Sequence, residues 1–548
     1  MSGGKILGSA GSVFVQGGGT GFLPAGHFVA GPMSLNLIFP RPDAETGAIT
    51  ATAAQFRLAY YDGVQPVQFE TPVGFQGGTR PLVYAIVSGP SWLNIGAAYG
   101  SAMYGILYGT PNASISKGSP VTVTVSATGQ DLVSSTATFT LATSSSTADF
   151  VFVNSGTSQT INGVTIGTGN DSTGTGSISA PFASLTPVMG TNASQTTFPR
   201  ARVYMVGNQQ WPVQSGSAYA GGFGMDSTLI PVVYMTLPGA NVTIDASLVQ
   251  LYDATTTGFN DGYFSGSGSP AFGFASSLLT INSGPSQPPS EHTFELYNAI
   301  RMTWRNVLFT NPVSRSTDGN NCSSIMGSNS GILKKQWLYL NVAETGRVIV
   351  GGAGSVDLLT VPFSVTDIVM EFCSATGAAP FGVYIKDSNE RVTVAYCSFQ
   401  NTNNSLTLQF GGQTNNGRAG NCEACYNYIH GVMFFDFQGF ANNDSYWSYR
   451  NTIYNDGFDY GYALGNFGPV GTGPYSSNSD VLISKTQAIS TSAVIFSASN
   501  TEVQAIWSGS PPPSNMPINA ATGALVDAST LWKTLYSKTA NSRGWEIG

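Results

Sequence analysis

Charge is what this sequence has least of: Asp, Glu, Lys and Arg together make up 9% of its 548 residues. The 21 basic and 29 acidic residues leave a net charge of −8 and form no basic stripe, so neither nucleic acid nor an anionic membrane is expected as a partner. Histidine is nearly absent. His27, His292 and His430 stand outside any nucleophile-elbow context, which leaves a Ser-His-Asp triad without support. Five cysteines, all between Cys322 and Cys425, are an odd number and a poor disulfide framework. No run approaches the length of a membrane-spanning apolar helix. The opening MSGGKILGSAGSVFVQGGG has one Lys and neither the apolar stretch nor the small-residue cleavage site of a Sec signal.

Small polar residues and apolar ones are abundant. With 42% hydrophobic and 11% aromatic residues there is ample material for a core, which argues against disorder. A polar but uncharged surface suits repetitive β-structure with hydroxyl and amide ladders. One short pattern recurs from about 303 to 456, as WRNVLFTN, YLNVAETG, EFCSATG, AYCSFQN, CYNYIHG and YRNTIYN. Aligned on Asn306, Asn341, Cys373, Cys397, Asn427 and Asn451, every copy is apolar two positions on, at Leu308, Ala343, Ala375, Phe399, Ile429 and Ile453. Spacings of 35, 32, 24, 30 and 24 residues suit one coil of a solenoid plus variable loops. The alternation is strand-like and the loops are rich in Asn and Gly, which predicts a parallel β-helix whose inward Asn and Cys form ladders.

Three regions follow. Residues 1–57 open Gly-rich and are expected to be an arm that orders on a partner; Gly17–Gly21 lacks the Lys-Ser/Thr of a phosphate loop. Residues 58–143 alternate strand-like runs with turns, predicting a compact β unit. The polar linker Ser144–Thr147 then opens the β-helix, expected over 144–548.

The β unit resembles the immunoglobulin-like domains of bacterial and phage surface proteins. That resemblance rests on Pro90-Ser91-Trp92-Leu93, on Gly105 to Pro111 (GILYGTP) and on Val121 to Thr128 (VTVTVSAT). It implies that Trp92 and Leu93 belong to a sandwich core. Phe150 to Asn154 and Ala180-Pro181-Phe182-Ala183-Ser184-Leu185 resemble the entry to right-handed β-helices of the pectate-lyase-like class, where the second segment opens a short capping helix. The ending Glu546-Ile547-Gly548 is similar to the close of the last coil in that class. The expected fold is thus all-β: a right-handed single-stranded parallel β-helix preceded by a small immunoglobulin-like β-sandwich and an N-terminal arm. Together these features resemble tailed-phage virion proteins of the tailspike, fibre or capsid-decorating kind. The resemblance implies a virion location, docking on other virion proteins through the arm, contact of the β-helix with host surface polysaccharide, and a homotrimer as the common assembly.

Chemistry, if present, is expected from carboxylates. Asp436, Asp444, Asp456 and Asp459 are concentrated among aromatics, and glycoside hydrolysis needs two carboxylates across the bond. Tyr446, Trp447, Tyr449, Tyr454 and Tyr460 offer stacking platforms for sugar rings. The bland alternative is that the aspartates are turn formers. Cys422-Glu423-Ala424-Cys425 has the spacing of half a zinc site, but no second pair follows, so coil packing is expected and no metal or cofactor is implied. The run IKDSNERVTV, with Lys386, Asp387, Glu390 and Arg391, reads as a solvated turn. The expected function is a virion surface structural protein, with a polysaccharide depolymerase (lyase or hydrolase) and a bacterial surface adhesin as alternatives.

Overall fold

The computed structural model describes residues 33–40, 57–189 except 100 and 102, and 201–212, followed by strand segments with some of their turns from 219 to 526. The protein is all-β with a large parallel sheet. Phe150–Asn154 pairs in parallel with Arg202–Val206, and that strand with Val233–Thr236. The file continues through Asp261–Ser265, Arg301–Thr310, Lys334–Gly346, Val365–Glu371, Asn389–Ala395, Ala419–Cys425, Tyr446–Tyr449 and Tyr475–Asn478 to Phe496–Ala498. A second file, from Gln209–Gln210 to Thr501–Gln504, shares the same 21-stranded sheet. A third is a separate ten-stranded parallel sheet from Tyr219–Gly221 to Gln487–Ile489. Strands this short bury too little alone and are stable only as a stack. Among the described residues no helix is long and apolar enough to cross a membrane.

Strand alternation sends every second residue inward. Trp337, Ile368, Val392 and Cys422 make one inner row, and Tyr339, Met370, Val394 and Ala424 the next, all in one buried cluster. Toward the N-terminal end that core is aromatic, with Tyr234 stacked on Phe264 at 5.3 Å and Phe264 on Trp304 at 4.6 Å. The segment Ala180–Leu185 runs, as expected, into a short helix, α1 (Thr186–Met189). Phe182 exchanges backbone hydrogen bonds with the first strand, and Leu185 and Val188 are buried against the core.

The ladders are present in two runs. Asn341 Nδ2 donates to Asn306 Oδ1 at 2.7 Å. Farther on, the Cys373 amide donates to Cys397 Sγ, the Cys397 amide to Asn427 Oδ1, and the Asn427 amide and Nδ2 both to Asn451 Oδ1. The register between the two runs corrects the sequence alignment. Leu308 pairs with Ala343, but Ala343 pairs with Ser374 and Glu344 with Ala375. The first two copies are therefore one residue out of phase with the other four. Leu308 is half-buried, while Val307 and Phe309 fill the core together with Phe399, Ile429 and Ile453. The cause is a change of corner residue. Asn306 and Asn341 are themselves the left-handed corner, at φ 51° and 54°, a place taken by Phe372, Tyr396 and Tyr426 in the repeats that follow. In those repeats the Cys or Asn comes one position later.

The preceding module has nine strands: β1 (Asn36–Phe39), β2 (Leu58–Tyr60), β3 (Phe69–Pro72), β4 (Gly74–Gln76), β5 (Val83–Ser88), β6 (Leu93–Ile95), β7 (Ile106–Gly109), β8 (Val121–Thr128) and β9 (Ser134–Ser144). They form a four-stranded sheet in the order β2-β9-β8-β5 and a three-stranded sheet β3-β7-β6, while β1 pairs with β4. Phe69, Tyr84, Leu93, Ile106, Val123 and Phe139 meet in one buried cluster. Trp92 lies at its edge, half-buried and edge-on to Phe69 at 6.1 Å, so of the Trp-Leu pair only Leu93 is fully interior. Within the segment read as an arm, Ile38 and Phe39 pack on Leu338 and Val369 of the parallel sheet; residues 1–32 and 41–56 lie outside the described residues.

Candidate functional site

The sheet that carries the repeats is covered on both faces. Outside the inner core, Leu338, Val369, Thr393, Glu423 and Trp447 form one register row, and Leu340, Glu371, Ala395 and Cys425 another. The N-terminal module lies over these rows, with Leu340, Ala395 and Cys425 sharing its buried cluster. Two-sided burial explains why these strands read as nearly continuous apolar runs, such as QWLYLNV.

The centre of the seam is Arg80. A turn brings it there: Gly77 has φ +73°, and a Cβ at that position would sit 2.4 Å from the Met33 and Ser34 carbonyl oxygens. The Arg80 side chain is fully buried, and all five of its N–H donors have acceptors. Nε and Nη2 donate to Glu371 Oε1 at 3.0 and 2.7 Å, and Nη2 also to the Phe75 carbonyl at 2.8 Å. Nη1 donates to the Gly77 carbonyl at 2.7 Å and to Glu423 Oε1 at 3.4 Å. Glu423 Oε1 also accepts from Thr393 Oγ1 at 2.8 Å, whereas its Oε2 is buried and receives no hydrogen bond from the described residues. Burial alone would lower the Arg80 pKa, but the charges of Glu371 and Glu423 outweigh it and hold the guanidinium well above its usual value. Glu423 moves up to about 7, because desolvation exceeds what Arg80 and Thr393 restore.

Beside this cluster the three left-handed corners form an aromatic ladder. Phe372 stacks on Tyr396 at 5.1 Å, and Tyr396 meets Tyr426 at 5.4 Å. Tyr99 of the module closes on Tyr396 at 4.8 Å, Tyr104 meets Phe372 edge-on, and Tyr426 Oη donates to the Arg80 carbonyl. Two further anchors flank the seam. Glu70 Oε2 accepts from Arg305 Nη2 at 2.9 Å, and the Gln76 side-chain amide donates to the Arg391 carbonyl. Lys117 pairs with Asp149 at 2.6 Å.

The residues expected to form a site are distributed differently. Asp436 ends Val432–Asp436, a strand of the ten-stranded sheet, whereas Tyr446–Tyr449 and Thr452–Asn455 belong to the 21-stranded one. Tyr446 pairs in register with Cys422, Tyr449 with Cys425, and Tyr454 with His430. Asp444, Asp456, Asp459 and Tyr460 lie outside the described residues. Trp447 is 8% exposed and follows Glu423 in the outward register row. Arg391 and Glu390 are not in a turn; they lie in the strand Asn389–Ala395, and Arg391 pairs with Asp367 at 2.5 Å. Cys422 and Cys425 face opposite sides of their strand, one in the inner core and one in the seam, so their spacing cannot make half a zinc site. Among the described residues no group of three metal-ligating side chains exists.

Sequence reasoning missed the seam. Its signal was present in a buried-type Arg among apolar residues, Arg80 in GTRPLVY, and in acidic residues at strand positions, Glu371 and Glu423. Compared with protein-family models, curated proteins and solved structures, the chain matches none.

Proposed function

We propose that this chain is a structural protein of a tailed-phage virion surface, a parallel β-helix carrying a docked immunoglobulin-like module. In this reading the N-terminal segment holds it to neighbouring virion proteins, and the β-helix is displayed toward host surface glycan. The observation that supports it best is the two-way buried seam, in which the module sends Arg80 into the sheet's carboxylates and the sheet sends Arg305 to the module's Glu70. Truncating one partner of such a buried pair is strongly destabilising, so the module and the stack behave as one stiff body. Stiffness of that kind suits display rather than turnover. The depolymerase reading has less support: Glu371 and Glu423, the carboxylates gathered around one cation, are buried away from any polysaccharide. Negative-stain imaging of purified virions with an antibody to this chain tests the proposal. Label at a fixed place on the particle is the expected result. Absence of label from particles, with the chain on the bacterial surface instead, overturns it in favour of an adhesin. Release of reducing ends from host polysaccharide would favour the enzyme.

A further inference from the structure

At Arg80 one cation meets two carboxylates. Arg80 spends two hydrogen bonds on Glu371 and a single long one on Glu423, whose second oxygen is buried and receives none from the described residues. With both carboxylates ionised the cluster is left with a net negative charge, fully buried, that Arg80 has no donor left to satisfy. One proton on Glu423 removes that excess and leaves Arg80 and Glu371 as a balanced pair.

We propose that Arg80, Glu371 and Glu423 form a single-proton latch: the module sits closed on the parallel sheet while Glu423 is protonated, and the seam loosens when Glu423 ionises. The groups around it do not take over this role. From the module, Arg80 stays charged, while the phenols of Tyr84 and Tyr104 are pushed upward, mainly by burial, and stay neutral. From the sheet, Glu371 is engaged by Arg80, Thr393 donates to Glu423, and the Tyr396 phenol is likewise pushed upward, mainly by burial. Cys425 lies near the guanidinium, and Tyr426 donates to the Arg80 carbonyl.

The sign follows from the closed seam binding the proton more tightly than the open one. Glu423 titrates near 7 when closed and in the ordinary glutamate range once solvated, so closure is favoured in acid and is lost as pH rises through about 7. Between pH 6 and 8 the closed-to-open ratio falls about tenfold. Loosening uncovers the Phe372, Tyr396 and Tyr426 ladder, which gives a local readout.

The test is amide hydrogen exchange of the full chain at pH 6 and pH 8, comparing wild type with Glu423→Gln at each pH so that intrinsic rates cancel. The amide of Gly77, which donates to Thr393 Oγ1 across the seam, reports the seam, and those of Val203 and Tyr234 report the inner stack. Wild type should lose about tenfold more seam protection than Glu423→Gln between the two pH values, with the inner stack unchanged. Glu371→Gln supplies an independent arm. It leaves Glu423 as the one carboxylate facing Arg80, which then holds it ionised with the seam closed, so the loss of seam protection between pH 6 and pH 8 should shrink. Equal seam protection in wild type and Glu423→Gln at both pH values overturns the latch, as does a Glu371→Gln loss as large as that of wild type. If Glu423→Gln does not fold, the Glu371→Gln arm alone decides.

Discussion

Glu70 and Arg305 repeat the Arg80–Glu371 contact with the charges exchanged: the carboxylate comes from the module and the guanidinium from the sheet, 2.9 Å apart and both buried. Ser267 Oγ donates to the same carboxylate at 3.2 Å, and Gln68 Nε2 at 2.8 Å. Each unit therefore buries a charge that pairs with one on the other. Removing one partner strands the other, so Glu70→Ala should cost about 3–5 kcal/mol in unfolding free energy. Replacing both with apolar residues of similar size, Glu70→Leu with Arg305→Met, should cost much less than the two single changes combined. A chemical-denaturation double-mutant cycle measures this. Strict additivity would mean the two charges do not depend on one another.

The corrected register makes a prediction at neighbouring residues. Phe309 is wholly buried in the inner core and Leu308 is half-buried beside it. Phe309→Ala should cost about 3–5 kcal/mol, whereas Leu308→Ala should cost well under half of that. Ile429→Asp buries an unpaired charge in the same core and should cost at least ~3 kcal/mol. Thermal melting separates these cases, and equal losses at 308 and 309 would return the alignment to its uncorrected form.

How far the fold was legible follows from the same residues. The recurring apolar position at Phe399, Ile429 and Ile453 was readable because one face of each strand must be buried, and alternation exposes that demand. The one-residue slip was not, because Asn serves equally as a left-handed corner at 306 and 341 and as an inward ladder amide at 427 and 451. The seam was hidden for a different reason. A solenoid alone needs only alternate positions for its core, so aromatics and acids at the other positions read as surface. Here a second unit covers that surface, and Glu423 and Tyr426 are interior. Sequence periodicity says which residues share a face, not what lies against it.

Among the described residues the last rung of the amide ladder is Asn451. Asn451 Oδ1 accepts from the backbone amide and Nδ2 of Asn427, and its own Nδ2 donates to the Ala424 carbonyl and to Ser448 Oγ. Asn451→Ala leaves several buried groups unpaired at once, at about 1–3 kcal/mol for each that finds no water. Asn451→Asp keeps the acceptor and, while protonated, one of the two donors, so it should fall between wild type and Ala at low pH and become worse than Ala once ionised. Melting temperatures of both variants at pH 4 and pH 8 check the crossing; parallel behaviour would place Asn451 in contact with solvent.

Tyr396 inverts a familiar ranking. Its backbone is left-handed at φ 57°, a conformation that costs a side-chain-bearing residue about 1–2 kcal/mol and glycine almost nothing. The ring is fully buried between Phe372 and Tyr426 under Tyr99, and that stacking offsets the strain. Truncation removes the offset. Tyr396→Ala loses the packing of a large aromatic, about 3–5 kcal/mol by analogy with other buried rings, and keeps the strained backbone. Tyr396→Gly loses the same packing and relaxes the backbone. Glycine should therefore be less destabilising than alanine by about 1 kcal/mol, the reverse of their order in an ordinary strand. The same comparison at Phe399, three residues on in the regular strand Ser398–Asn401, should give the ordinary order. Urea unfolding of the four variants tests it, and a Tyr396→Ala protein more stable than Tyr396→Gly would show that the corner is not held in the left-handed region by its stacked ring.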